Sequence, residues 1–233
     1  MGYCYTRDSG LFALADGMGG HPEGEVASQM SLQTLAAQFQ QEARPTLKDP
    51  KRFLSEGILA GHHQLLRYAV ERALLDTPRT TLVACLLQGR EAWWAHCGDS
   101  RLYLVRGGRL VARTRDHSFV QTLIDQGEIT EQEAIGHPRS NLLTGCLGMD
   151  VLPPIAQYRI DKLELGDVIL SCTDGLWAYF NETELAKIVD SLTAAEACRL
   201  LVEQARERAE GAGDNIAVAI LKASKLPSSH APQ

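Results

Sequence analysis

Six short apolar segments constrain the fold of this chain more than any other feature of its sequence. Each is rich in β-branched or aromatic residues and bounded by Gly, Asp or Pro, which is typical of a β-strand. The segments are 11–15, 80–87, 92–97, 101–105, 167–172 and 215–221. Gly107-Gly108 separates the fourth segment from Leu110-Val111, and a Gly-Gly pair suits the positive φ angles of a tight hairpin. The sequence therefore predicts antiparallel pairing between successive strands.

Longer segments with a 3.6-residue apolar period predict helices over 23–42 and 50–75. Three later helix starts carry a polar cap residue followed three positions on by Glu, namely Thr130, Asn181 and Thr193. The order of one strand, two helices, a strand meander, short helices, more strands, two helices and a last strand predicts an α+β fold. We expect one domain over 1–221 and a loose polar tail over 222–233.

Composition excludes several classes of partner. The 233 residues carry 23 Lys and Arg against 29 Asp and Glu, a net charge of −6, and no block of basic residues. This balance argues against nucleic acid or an anionic membrane as a partner. No apolar stretch approaches the roughly 18 residues of a membrane-spanning helix. The six cysteines form no C-x-x-C pair and several lie in apolar segments, which predicts reduced thiols and a cytoplasmic protein.

Four aspartates stand at the ends of predicted strands, each beside glycine or another small residue. Asp16 and Asp174 follow strands, Asp99 lies between two strands, and Asp214 precedes the last strand. Any one of them is an ordinary turn residue. Four such carboxylates together favour a site for Mg²⁺ or Mn²⁺, because these cations prefer oxygen donors. The glycine after Asp16 and after Asp174 allows the backbone to approach such an ion closely.

Six short motifs place these aspartates in a specific context. They are L-A-D-G-M-G-G-H at 14–21, T-T-L-V-A at 80–84, G-D-S-R at 98–101, T-R-D-H-S at 114–118, S-C-T-D-G-L at 171–176 and G-D-N-I at 213–216. In this order and at these separations the motifs resemble those of the metal-dependent type 2C (PPM) protein serine/threonine phosphatases, bacterial branch. The resemblance runs from about residue 9 to about residue 221, and six ordered motifs make it specific.

This resemblance implies a four-layer α-β-β-α sandwich of two antiparallel sheets flanked by helix pairs, with two Mg²⁺ or Mn²⁺ ions at one end of the sheets. Carried over by motif, Asp16 bridges the two ions and the Gly17 carbonyl completes the shell of one. Asp174 and Asp214 hold the other ion, and Asp99 shares Asp174 around a third, weaker one. The implied reaction is direct attack of a metal-activated water on phosphoserine or phosphothreonine. The implied partners are phosphorylated proteins and an opposing kinase, and we expect a monomer.

The remaining polar candidates carry weaker signals. His21 follows the first motif closely enough to act as a proton donor or substrate contact, and the alternative is a polar loop residue. His62 and His63 are neighbours in a predicted helix and point about 100° apart, so we interpret them as structural. Trp93 and Trp94 point to opposite faces of one strand. A cysteine phosphatase needs Cys-x5-Arg, and no cysteine of this chain has arginine six residues later.

The chain departs from the family at its start. Members begin with a strand that ends in an Asn-Glu-Asp or Asn-Gln-Asp element, and only eight residues precede Ser9 here. The Asp of that element and a nearby phosphate-binding Arg therefore have no counterpart, because Arg7 and Asp8 fall in the expected hairpin turn. Gly145 also stands where relatives carry an arginine, in a segment over 116–147 that corresponds to a variable flap beside the active site.

Three hypotheses remain open at this point. The first, which we favour, is a phosphoprotein phosphatase whose start is truncated. The second is a degenerate, phosphatase-like module that binds phosphoproteins or cations without turnover, and it is motivated by the missing element. The third is a phosphatase of small metabolites.

Overall fold

A computed structural model describes residues 1–134 and 136–224. Its strands are β1 (Gly2–Tyr5), β2 (Ser9–Leu14), β3 (Leu82–Gln88), β4 (Glu91–Cys97), β5 (Arg101–Arg106), β6 (Arg109–Arg113), β7 (Ala156–Ile160), β8 (Val168–Cys172) and β9 (Val218–Lys222). Its helices are α1 (Gly24–Glu42), α2 (Pro50–Glu71), α3 (Phe119–Gln126), α4 (Glu131–Ala134), α5 (Asp174–Trp177), α6 (Glu182–Ser191) and α7 (Ala194–Arg208).

The described strands form two antiparallel sheets that pack face to face. The first has five strands in the order β1-β2-β3-β4-β7, and the second has four in the order β6-β5-β8-β9. Helices α1 and α2 pack against each other and on the first sheet, while α6 and α7 pack on the second. The predicted α+β sandwich of four layers is therefore confirmed.

Alternation along the strands divides the core into three layers. In β3, Leu82 and Leu86 face α1 and α2, whereas Val83 faces the second sheet. Trp93 and Trp94 of β4 divide in the same way, and Trp94 is fully buried between the sheets. A third layer lies between the second sheet and α6 and α7. The apolar residues of the central strands are thus buried on one side or the other, as expected for a sandwich. All six cysteines are free thiols, as predicted.

Helix boundaries follow local chemistry. Asn181 and Thr193 each accept the backbone N–H of the residue three positions later, at 2.9 and 3.3 Å, and Thr130 does the same at 3.2 Å. These bonds satisfy N–H groups that have no partner inside the helix. Helix α2 ends at Glu71, earlier than the predicted 75, because Ala73 adopts a positive φ of 50° that ends the helical path.

The apolar pattern does not predict strand β1. It pairs with β2 through a turn in which Arg7 and Asp8 lie, as expected. Tyr3 and Tyr5 are 79% and 78% exposed. This strand therefore lacks the buried apolar face by which a strand is recognised in a sequence.

The last strand passes the predicted domain boundary at 221. Strand β9 includes Lys222, and the N–H of Ala223 donates to the carbonyl of Asp167 at 2.8 Å. Residues 222–224 therefore continue the domain, and the rest of the predicted tail, 225–233, lies outside the described residues. Among the helices of the described ranges, none has both the length and the apolar character needed to cross a membrane.

Candidate metal centre

The four predicted aspartates lie at the same end of the two sheets. Asp16 follows β2, Asp99 lies in the turn between β4 and β5, Asp174 begins α5 directly after β8, and Asp214 lies shortly before β9. The charge of Asp174 acts on Asp16 and on Asp99, and the charge of Asp214 acts on Asp16 and on Asp174. The fold therefore gathers these four residues from distant parts of the chain into one electrostatic cluster.

The cluster makes ionisation of Asp16, Asp99 and Asp174 unfavourable. Burial raises the pKa of Asp16 to about 7, and the negative charges of Asp174 and Asp214 add to this effect. Burial and the neighbouring charges of Asp174 and Asp116 raise the pKa of Asp99 to about 8. The pKa of Asp174 is raised by burial and by Asp214. Nearby carboxylates that repel one another are the setting in which a divalent cation is most strongly attracted.

Two threonines hold the backbone of Asp16. The carbonyl of Asp16 accepts the N–H of Thr81 at 2.8 Å and the hydroxyl of Thr80 at 2.8 Å. The N–H of Asp16 donates to the hydroxyl of Thr81 at 3.1 Å. The hydroxyl of Thr81 also lies 2.7 Å from that of Ser100, the residue after Asp99. The start of β3 thus joins the loops that carry two of the four aspartates.

The two glycines that follow aspartates lie where a side chain does not fit. A Cβ added to Gly17 would stand 2.1 Å from the carbonyl oxygen of Gly24, and one added to Gly175 would stand 2.4 Å from that of Asn215. Both distances are well below a van der Waals contact. The close approach at Gly175 brings the start of α5 against the segment that carries Asp214, and so sets the spacing of Asp174 and Asp214.

Asp99 is fixed by its neighbours in the turn. Its carbonyl accepts the indole N–H of Trp177 at 2.9 Å. The guanidinium of Arg101 lies 3.6 Å from the ring centre of Trp177 and forms an ion pair with Asp116 at 2.7 Å. Asp116 and the motif around it therefore support the loop of Asp99. The sequence gives no signal for the role of Trp177, which directly follows the motif at 171–176.

A cavity of about 440 Å³ opens beside Asp99 and Asp174. Helices α3 and α4, with Ser140 and Asn141, line another of its walls. The segment over 116–147 therefore lies beside the aspartates, where the resemblance places the flap. Arg113, also in the wall, is paired with Glu182.

Two predictions concerned histidines. The Nδ1 atom of His21 lies 2.8 Å from a carboxylate oxygen of Asp76, which also binds Arg79 at 3.1 Å. The structure thus places His21 against the loop before β3, and its catalytic role stays a prediction. His62 is buried and its Nδ1 accepts the N–H of Gly148 at 3.2 Å, in agreement with a structural role.

The donor chemistry of the cluster fits Mg²⁺ or Mn²⁺. The candidate ligands are carboxylate oxygens and the carbonyl of Gly17, which are the donors that hard cations prefer. Within 1–134 and 136–224, however, no three His, Cys, Asp or Glu side chains stand close enough to hold one ion. Asp16 and Asp174 are within hydrogen-bond reach of each other. Two carboxylates can suffice for such a cation, because it usually keeps several water ligands.

Comparison with known proteins identifies the same family as the motifs. The family model Protein phosphatase 2C matches residues 1–215. The serine/threonine phosphatase stp of Listeria monocytogenes is 33% identical over 214 residues, which cover 91% of this chain and 84% of that protein. The serine/threonine protein phosphatase PstP of Mycobacterium tuberculosis is 36% identical over 210 residues, 90% of this chain. The match spans only 40% of the length of PstP.

A solved structure matches the fold and carries metal. The catalytic domain of PstP in complex with two manganese ions superimposes with a TM-score of 0.75 at 34% identity. The match covers 90% of this chain and 86% of that domain. The sandwich described above is thus the fold of a protein that binds two manganese ions.

Proposed function

Because the chain belongs to the protein phosphatase 2C family, we propose that it hydrolyses phosphoserine and phosphothreonine on proteins with the help of two Mg²⁺ or Mn²⁺ ions. The observation that carries the proposal is the coupled set of Asp16, Asp174 and Asp214 at one end of the sandwich. Relatives named as serine/threonine phosphatases, and a related catalytic domain with two manganese ions, support it.

Each residue of the cluster has a proposed part. Asp16, together with the carbonyl of Gly17, would hold the two ions, and Asp174 with Asp214 would complete the second of them. Asp99 would share Asp174 around a third, weaker ion. Divalent cations in such a site supply the charge that activates a water molecule for attack on phosphorus and that neutralises the phosphoryl oxygens. The cavity next to Asp99 and Asp174 is the place for the side chains that flank the phosphorylated residue.

Three variants of the full chain test the proposal. Wild type should release phosphate from an aryl phosphate and from a phosphothreonine peptide in the presence of Mn²⁺. Asp174→Asn and Asp214→Asn should reduce this rate by at least about a hundredfold, because they remove ligands from the proposed centre. Asp161→Asn is the matched control, since Asp161 is 79% exposed and, among the described residues, its one ion pair is with Arg159 at the surface. No phosphate release by wild type in excess Mn²⁺ would contradict the proposal.

A second candidate function is a module that binds phosphoproteins without turning them over. The observation in its favour is that only eight residues precede Ser9, so the early Asp and the phosphate-binding Arg of the family have no counterpart in the sequence. Calorimetry with the phosphothreonine peptide separates the two candidates. Binding without hydrolysis supports the module, and hydrolysis supports the enzyme. A wider substrate panel that includes phosphorylated metabolites then tests the third hypothesis.

The proposed function also implies a partner kinase, a cellular compartment and an oligomeric state. Its substrates require a serine/threonine kinase acting on the same proteins, and its free, mostly buried cysteines suit a reducing compartment such as the cytoplasm. We expect it to act as a monomer, which light scattering of the purified chain tests.

A further inference from the structure

His117 forms two hydrogen bonds with the residue that precedes Asp99. Its backbone N–H donates to the carbonyl of Gly98 at 2.9 Å, and its Nδ1 accepts the N–H of Gly98 at 3.2 Å. His117 lies in the loop after β6, whereas Gly98 lies directly after β4. The two bonds therefore tie together two loops that are separate in sequence and that meet beside the aspartate cluster.

Gly98 has little freedom to move in this arrangement. Its φ of +109° lies in the region that favours glycine. A Cβ at this position would stand 2.6 Å from the Cγ2 atom of Thr81. The peptide before Asp99 is thus held between Thr81 on one side and His117 on the other. The loss of either contact would allow the turn, and Asp99 with it, to shift.

A second histidine fixes the ring of His117. The imidazoles of His96 and His117 stack with their centres 4.6 Å apart and their planes 2° from parallel. His96 is fully buried, and its Nε2 donates to the carbonyl of Arg115 at 2.7 Å. Because Nδ1 of His117 accepts a hydrogen bond, the ring is neutral with its proton on Nε2. Burial favours the neutral form as well, and it lowers the pKa of His117 to about 4.

His117 also joins the two ends of the flap segment, 116–147. The carbonyl of His117 accepts the N–H of Thr144 at 2.9 Å. Next to it, the N–H of Phe119 donates to the carbonyl of Leu142 at 2.8 Å. The two ends of the flap thus meet at His117, which contacts the Asp99 turn through its ring and the flap through its carbonyl.

We propose that His117 is a positioning residue for the phosphatase reaction: it holds the Gly98–Asp99 turn through Nδ1 and joins that turn to the base of the flap. The proposal rests on the proposed function, because its consequence for turnover depends on the part played by Asp99. The hydrogen bond between Gly98 and Nδ1 of His117 does not depend on catalysis and can be tested without it.

Two substitutions separate the hydrogen bond from the stacking. His117→Phe keeps a flat ring against His96 and removes the acceptor. His117→Asn removes the ring and keeps an acceptor, because Asn Oδ1 is as many bonds from Cα as His Nδ1. The matched control is His62→Phe, which removes the same kind of buried bond, at 3.2 Å to Gly148, away from Asp99.

The first measurement is turnover of an aryl phosphate by the full chain in excess Mn²⁺. His117→Phe should lower kcat about tenfold, and His117→Asn should stay within about threefold of wild type. His62→Phe should lower the unfolding temperature while leaving kcat within about twofold. In an Asp99→Ala background, His117→Phe should cause no further loss, because residues that act through one another are not additive. The proposal would be overturned if His117→Phe and His117→Asn lowered kcat equally. It would also be overturned if His117→Phe lowered kcat by the same factor in the Asp99→Ala background as in wild type.

The second measurement is hydrogen exchange of the Gly98 amide by NMR, without metal or substrate. We expect the amide to exchange at least about tenfold faster in His117→Phe than in wild type, with protection kept in His117→Asn. Unchanged protection in His117→Phe would refute the hold on Gly98. If wild type releases no phosphate, the proposed function fails, while the exchange data still decide whether His117 holds the turn.

Discussion

The guanidinium of Arg101 lies over the indole of Trp177, with its central carbon 3.6 Å from the centre of the ring, while the indole N–H of Trp177 donates to the carbonyl of Asp99 at 2.9 Å. This stack joins the second sheet to α5, the helix that begins with Asp174. Two of the proposed metal-binding residues thus depend on one aromatic side chain for their relative position.

Trp177→Phe should therefore affect catalysis more than stability. The variant keeps a ring for Arg101 but loses the donor to Asp99, a bond worth about 1 kcal/mol. We expect a several-fold lower kcat for aryl phosphate hydrolysis and a small decrease in unfolding temperature. Trp94→Phe is the control, because the indole N–H of Trp94 has no hydrogen-bond partner within the described residues. A lower kcat in the control, with none in Trp177→Phe, would contradict this account.

Asp116→Asn should destabilise the fold. The carboxylate of Asp116 is 5% exposed and binds Arg101, whose side chain is 17% exposed. Removal of the negative charge leaves a largely buried cation without its partner, at a cost of about 3 kcal/mol. Urea denaturation measures the loss. The exposed ion pair of Asp161 with Arg159 gives the comparison, where Asp161→Asn should cost less than about 0.5 kcal/mol.

Gly17→Ala should prevent the native loop from forming, whereas Gly19→Ala should be tolerated. The added methyl group at position 17 would stand 2.1 Å from a backbone oxygen, and the same group at position 19 would meet nothing within 4 Å. We expect Gly17→Ala to lose activity and at least about 2 kcal/mol of stability. Circular dichroism on heating and an Mn²⁺-dependent assay test both variants, and equal behaviour would refute the argument.

Asp16→Asn should stabilise the metal-free protein while abolishing its activity. Burial and neighbouring charges raise the pKa of Asp16 from 3.8 to about 7, so the folded state binds a proton more tightly than the unfolded state. The carboxyl group therefore costs no stability below about pH 4, its cost grows between about pH 4 and pH 7, and the full cost is present above pH 7. In a chelating buffer, Asp16→Asn should exceed wild type in stability at pH 8 and match it near pH 4.

Addition of Mn²⁺ at pH 8 should make wild type more stable than Asp16→Asn. Bound cations would compensate the charge of Asp16 and raise the unfolding temperature of wild type. The Asn variant lacks the carboxylate that we propose would hold the ions, and it should gain much less. A wild-type protein that is as stable as Asp16→Asn at pH 8 without metal would contradict this account, because burial of the ionised Asp16 and its repulsion by Asp174 and Asp214 would then cost no stability.

The sequence predicted the layers well because they depend on strong local patterns. Alternation in 80–87 and the adjacent Trp93 and Trp94 specify which side chains face which layer, and the structure follows them. Gly-Gly at 107–108 specified a hairpin. The apolar pattern does not predict the edge strand β1, because Tyr3 and Tyr5 are exposed and the strand has no buried apolar face. The end of α2 depended on the backbone of Ala73, which an apolar pattern does not report.

The candidate site was predictable to a lesser extent. Asp16, Asp99, Asp174 and Asp214 stand at recognisable strand ends, and the motifs placed them in order. The hydrogen bonds that hold these aspartates could not be predicted from the sequence. Trp177 binds Asp99 across 78 positions of the chain, and His117 binds Gly98 across 19. Such contacts depend on how the two sheets stack. No local period or spacing encodes them.

The most direct test of the central claim is phosphate release from a phosphothreonine peptide by the full chain, followed as Mn²⁺ is added to metal-free protein. We predict no release in chelator, a saturable increase with Mn²⁺, and no increase for Asp174→Asn at any concentration. Release that persists in chelator, or the same Mn²⁺ dependence in Asp174→Asn as in wild type, would contradict the assignment of this aspartate cluster as a phosphatase metal centre.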